Sequence, residues 1–123
     1  MTSPDTNQER LLYQTQVNRA LANTVRQSIL ICVLAHGDEG VRTAEIAAKL
    51  GEAPANVSKG LRVLEQAALV SNIVTKEVGI TSRYYPTKQS RQWFEVAYGR
   101  NPASVLNGLV KEAASRQESH LAS

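Results

Sequence analysis

The chain has 123 residues, 42% apolar and 20% charged, with a formal net charge of +3. That length suits one domain around one core, and the composition excludes a disordered chain. The single cysteine, Cys32, excludes an intramolecular disulfide and a cysteine-rich zinc site. No apolar run approaches the roughly 18 residues of a membrane span, and the N-terminus has no signal-peptide pattern, so a cytoplasmic protein with no membrane partner is expected.

The charge is unevenly spread. Up to Gln66 acids and bases cancel, and they cancel again after Arg100. Between them Lys76, Arg83, Lys88, Arg91 and Arg100 face only Glu77 and Glu95, so this stretch carries the whole surplus of three. Such a surplus permits a nucleic-acid partner without requiring one.

In chain order, Asp5 or Thr6 can cap a first helix running to about Ala22. Its apolar positions Leu11, Tyr13, Val17, Ala20 and Leu21 make one stripe, suited to packing against another helix. Asn23 looks like a second cap, and the run Ile29–Ala35 that follows is apolar all round, as a central core helix would be. Gly37 ends that helix, and Asp38–Gly40 reads as a loop. Thr43 is expected to cap a short third helix with Ile46, Ala47 and Leu50 inside, stopped by Gly51. Pro54 suits the first turn of a fourth, where its missing N–H costs nothing. That helix carries Val57, Leu61, Leu64 and Ala68 at steps of four, three and four. Only about three residues separate these two helices, which makes them a helix-turn-helix.

The period then changes to that of strands. Ser71–Val78 is rich in β-branched residues, Gly79–Ser82 reads as a turn, and Arg83–Tyr85 returns the chain before Pro86. A hairpin directly after the second helix of a helix-turn-helix is a wing. Tyr84 and Tyr85 alternate faces, so at least one belongs to the core. Thr87 caps a fifth helix with Trp93, Phe94 and Ala97 on its apolar side, and Gly99 lies beyond its end. Asn101 and Pro102 open the last helix, whose stripe is Val105, Leu106, Leu109, Val110 and Ala113. The expected fold is mainly α with a small β-hairpin, a single winged helix-turn-helix domain over residues 1–123. Residues 1–22 would form an N-terminal dimerisation helix, 23–99 the winged core, and 101–120 a C-terminal dimerisation helix.

Three segments carry a family resemblance, covering roughly Ala20 to Trp93. ALANTVRQSILICVLAHG, TAEIAAKLGEAPANVSKGLRVLEQAALV and VSNIVTKEVGITSRYYPT stand in the order of the first core helix, helix-turn-helix and wing of the winged-helix repressors of the ArsR and MarR type. The chain resembles that family, and the resemblance implies a dimer that binds duplex DNA. It departs from the family pattern at Ala53, where serine is the usual cap, and at Gly60, where a larger polar residue is common. Each change is expected to cost the fourth helix up to about 1 kcal/mol. Metal-sensing members bind through paired cysteines or His and carboxylate clusters on the last helix. This last helix offers only Glu112, Glu118 and His120, so no metal and no cofactor is expected.

A recognition helix meets base edges through the outward residues of its N-terminal half. With Val57, Leu61 and Leu64 inside, that set is Ala55, Asn56, Ser58 and Lys59, with Arg62 one turn deeper and suited to a phosphate. Asn56 suits adenine, Lys59 guanine or phosphate, and Ala55 a thymine methyl group. On the wing, Lys76 and Arg83 flank the tip and its residues Thr81 and Ser82, with Arg83 the choice for a phosphate or minor-groove contact. A cross-strand pair with Glu77 competes for Arg83. Arg42 and Thr43 stand at the start of the third helix, where free N–H groups suit a phosphate. Twin helices would meet through Leu11, Tyr13, Val17, Leu21, Val105, Leu106, Leu109, Val110 and Ala113, and the operator would be an imperfect palindrome.

The leading reading is a transcriptional regulator, expected to be a repressor. A plasmid or viral partition or replication protein is an alternative with the same DNA chemistry, and a winged-helix protein-interaction module is another. An enzyme is not expected: no grouped carboxylates, nucleophile–base pair, phosphate-binding glycine loop or metal-ligand cluster is present.

Overall fold

The computed structural model describes residues 6–76, 79 and 81–122, with side chains to residue 115. Asp5 as a cap, Glu77 as a partner for Arg83, and the side chains of Glu118 and His120 lie outside the described residues.

Helix α1, Asn7–Leu21, starts where the Thr6 hydroxyl accepts the Glu9 backbone N–H at 3.1 Å. Helix α2, Thr24–His36, starts where Asn23 Oδ1 accepts the Arg26 N–H at 3.0 Å. The corner between them is clasped by α2 side chains. Arg26 Nε donates to the Ala20 carbonyl at 2.7 Å, its Nη2 to the Arg19 carbonyl at 2.9 Å, and the Gln27 amide to the Leu21 carbonyl. These bonds serve carbonyls at the end of α1, where the helix runs out of N–H partners; the Arg19 carbonyl also accepts the Ala22 N–H at 3.3 Å.

Helix α2 is the axis of the core. Ile29 through Val33 are all buried, and α3, α4, α5 and α6 all pack against this helix. A 3-10 turn, Gly37–Glu39, follows it in place of the expected loop. Val41 then pairs with Tyr84 through backbone hydrogen bonds of 3.0 and 2.8 Å in both directions, so the hairpin is tied to the helical body. Helix α3 spans Thr43–Leu50 and α4 spans Pro54–Gln66. Gly51 takes the left-handed conformation between them (φ 67°), which lets the Glu52 N–H reach back to the Ala47 carbonyl at 3.0 Å. Pro54 is the first residue of α4, as its lack of an N–H favours.

Thr43 corrects one expectation. Arg42 holds the cap position and Thr43 is the first helical residue; the Glu45 carboxylate accepts the Arg42 backbone N–H at 3.3 Å, so the acid three residues on does the closing. Ala68 corrects another: it lies past the end of α4 at φ 59°, and Ala67 is the buried alanine.

Strands β1, Val70–Thr75, and β2, Thr81–Pro86, pair antiparallel with Val70 opposite Pro86 and Thr75 opposite Thr81. Thr81 and Ser82, expected in the turn, therefore belong to the strand. Helix α5 is Lys88–Ala97 and α6 is Pro102–Ala122. The Thr87 hydroxyl accepts the Ser90 N–H at 3.2 Å and donates to the Ala68 carbonyl at 2.7 Å, fixing the start of α5 to the end of the helix-turn-helix.

The stripes on α1 and α6 are largely covered by the chain itself. Leu21 and Leu106 are buried in the core, and Val105 is half-buried against it. Leu109, Val110 and Ala113 line a groove facing Val25 of α2 and Leu50 of α3, while Tyr13 and Val17 line another with Trp93. Leu11, 69% exposed, is the one open member of the expected set, and Leu12 beside it is 63% exposed.

Candidate nucleic-acid interface

The surface of α4 follows from its period. Val57, Gly60, Leu61 and Leu64 are buried, so the helix is fixed to the core along one side for most of its length. Gly60 is the point of closest approach: a Cβ there would meet Ile29 Cδ1 at 2.7 Å. The sequence marked Gly60 only as a weak spot in the helix, whereas its missing side chain lets α4 lie against α2.

Ala55, Asn56, Ser58, Lys59 and Arg62 are all exposed, and they project from the part of α4 that the core leaves open. By helical spacing Ala55, Lys59 and Arg62 point most directly outward, with Ser58 on the flank toward the hairpin and Asn56 on the other flank. Among the described residues, none of these side chains forms a hydrogen bond or ion pair within the chain. Asn56 and Lys59 also line a groove facing Asn23, Arg26 and Glu52.

The hairpin stands beside this surface. Tyr84 sits at the junction with α4: burial raises its phenol pKa, and the nearby Glu65 carboxylate raises it further, so the group stays neutral and polar at physiological pH. Tyr85, on the opposite face, lies over Gly40, where a Cβ would meet its ring at 2.6 Å. Lys76 is exposed next to the end of β1, while Thr81 and Ser82 are half-exposed. The Ser82 hydroxyl donates to Asn72 Oδ1 at 2.5 Å, and the Thr75 and Thr81 hydroxyls bond to each other across the strands at 2.5 Å. These hydroxyls hold the hairpin in register first.

Arg83 does not flank the tip. It sits mid-strand opposite Ile73 because β2 begins at Thr81, two residues earlier than expected, while β1, expected to reach Val78, ends at Thr75; its Nη1 lies 3.5 Å from the Glu39 carbonyl. Nearby, Arg91 pairs with Asp38 at 3.1 Å. Two of the five cations in the basic stretch are thus turned toward the 3-10 turn. Arg42 is exposed and Thr43 half-exposed at the start of α3.

Chemistry of other kinds finds no constellation. No group of three His, Cys, Asp or Glu side chains is placed to hold a metal ion among the described residues. Cys32 is fully buried in α2, and burial pushes its thiol up to about 11.

No family model matches the chain, and no curated protein matches it. Solved structures do. The chain is similar to reduced HlyU from Vibrio cholerae N16961, with a TM-score of 0.57 and 21% identity, over 76% of this chain and 96% of that one. It is also similar to a MarR protein from Peptoclostridium difficile DA00132, with a TM-score of 0.58 and 14% identity, over 98% of this chain and 91% of that one. These likenesses establish the winged helix-turn-helix fold, six helices with one two-stranded antiparallel hairpin.

Proposed function

We propose that this protein binds duplex DNA as a homodimer and regulates transcription from a palindromic operator, acting as a repressor by occluding the promoter. One observation carries the reading: α4 is locked to the core by four buried residues while its opposite face presents Asn56, Ser58, Lys59 and Arg62, which form no hydrogen bond or ion pair among the described residues. A rigid helix with free amide, hydroxyl and cationic groups on its outer face suits the major groove, whose base edges and bordering phosphates supply the complementary groups.

In this reading Asn56 and Lys59 contact bases, Ala55 packs on a thymine methyl, and Ser58 and Arg62 hold backbone. Lys76, Thr81 and Ser82 approach the adjoining backbone from the hairpin, and Arg42 and Thr43 do so from the start of α3. Arg83 reaches DNA only by leaving the Glu39 carbonyl. A twin chain covers the exposed Leu11 on α1 and sets two copies of α4 about one DNA turn, roughly 34 Å, apart.

Selection of bound fragments from a random duplex pool tests the reading. An enriched imperfect inverted repeat, lost with Lys59→Ala or Arg62→Ala, is the expected result. A bound pool indistinguishable from the input contradicts a sequence-specific regulator.

A further inference from the structure

The flank of α4 turned away from the hairpin borders a continuous groove. Its lower part is lined by Asn23, Arg26, Glu52, Asn56 and Lys59, and its upper part by Gln16, Arg19, Arg26 and Gln66. Arg26 and Val63 belong to both parts, which makes them one strip along the corner between α1 and α2. Three cations, Arg19, Arg26 and Lys59, line it against one carboxylate, Glu52, at its lower end.

The charges are uncompensated and the donors are available. Among the described residues no carboxylate forms an ion pair with any of the three cations. Arg26 is held rigidly by two backbone carbonyls, which fix its position and leave its charge in place. Asn23 uses its carbonyl oxygen to cap α2, and among the described residues its amide N–H groups donate to no acceptor. Gln16 and Gln66 add two further amides. Fixed positive charge interleaved with amide donors is the chemistry that holds phosphodiester oxygens.

We infer that this strip is a second phosphate-contact edge for duplex DNA, gripping the backbone on the side of α4 opposite the hairpin, with Arg19 as its principal free cation. The inference rests on the DNA-binding reading of α4. An α-helix is about 10–12 Å across and the major groove is about 12 Å wide, so a helix seated there confronts a phosphate strand on each flank. The hairpin stands on one flank, and the strip meets the other. Its residues come from a corner of the chain where acids and bases balance in the sequence, so the charge tally does not mark them.

Anisotropy titrations of operator and scrambled duplex across a salt series test the inference, using the wild type, Arg19→Ala, Arg19→Lys and Lys59→Ala. Only the backbone carbonyl of Arg19 serves the α1–α2 corner, so the fold is expected to survive its substitution, which thermal melting checks. Arg19→Ala should weaken both duplexes severalfold by the same factor. The slope of log affinity against log salt should become shallower by about 0.9, the loss of one phosphate contact. Arg19→Lys should restore both. If Arg19→Ala leaves affinity and slope unchanged while Lys59→Ala weakens binding, the strip is not an edge of the interface and the reading of α4 stands. If the wild type binds neither duplex, both fall together.

Discussion

Gly40 and Gly60 are both places where a side chain is absent so that another can sit close. At Gly40 the backbone has φ 72° and ψ 166°, a combination open to glycine, and the Tyr85 ring occupies the space a Cβ would fill. Gly40→Ala is expected to destabilise the protein by about 1–3 kcal/mol, read as a lower urea midpoint with an unchanged slope. Neither role was legible in the sequence, because the partner ring and the partner isoleucine are distant in the chain. The sequence saw a loop glycine and a helix glycine. Cys32 lies in the apolar run of α2, and its burial there keeps the thiol protonated at neutral pH.

The elements themselves were read well wherever local chemistry decides them. Thr6, Asn23 and Thr87 each accept a backbone N–H at the start of a helix, as Ser, Thr and Asn do at caps. Where two local signals compete, the sequence alone does not decide the boundary. Thr43 has capping chemistry, yet Glu45 closes the turn from inside and moves the cap to Arg42. On the hairpin, Gly79–Ser82 has turn composition, but hydroxyl pairing across the strands extends β2 back to Thr81 and carries Arg83 away from the tip. Thr87 joins elements in a way that no periodicity shows, because one hydroxyl serves both α5 and the end of the helix-turn-helix. Thr87→Val is expected to cost about 1–2 kcal/mol, losing a cap and the hydrogen bond to the half-buried Ala68 carbonyl. Equilibrium urea unfolding measures it, and a change within error would assign the joint to packing alone.

For the molecule as a whole, the order of helices and hairpin was fully legible, because each change of hydrophobic period falls at a boundary in the structure. The distribution of charge was not. The sequence concentrates the surplus between residues 67 and 100, but folding turns Arg83 and Arg91 toward the 3-10 turn. Folding also gathers Arg19, Arg26 and Lys59 beside α4 from a stretch that is neutral by count. The expected dimer surface changes in the same way: most of the apolar stripe on α6 is used against α2 and α3, and Leu11 with Leu12 on α1 is what remains open. The proposed DNA binding rests on the outward face of α4. Titration of a labelled duplex with the purified protein at low salt, followed by stepwise addition of salt, tests it most directly. Saturable binding is expected, with affinity falling linearly on a log–log plot as salt rises and weakened markedly by Lys59→Ala. A folded wild-type protein that leaves the duplex unbound at low salt would contradict it.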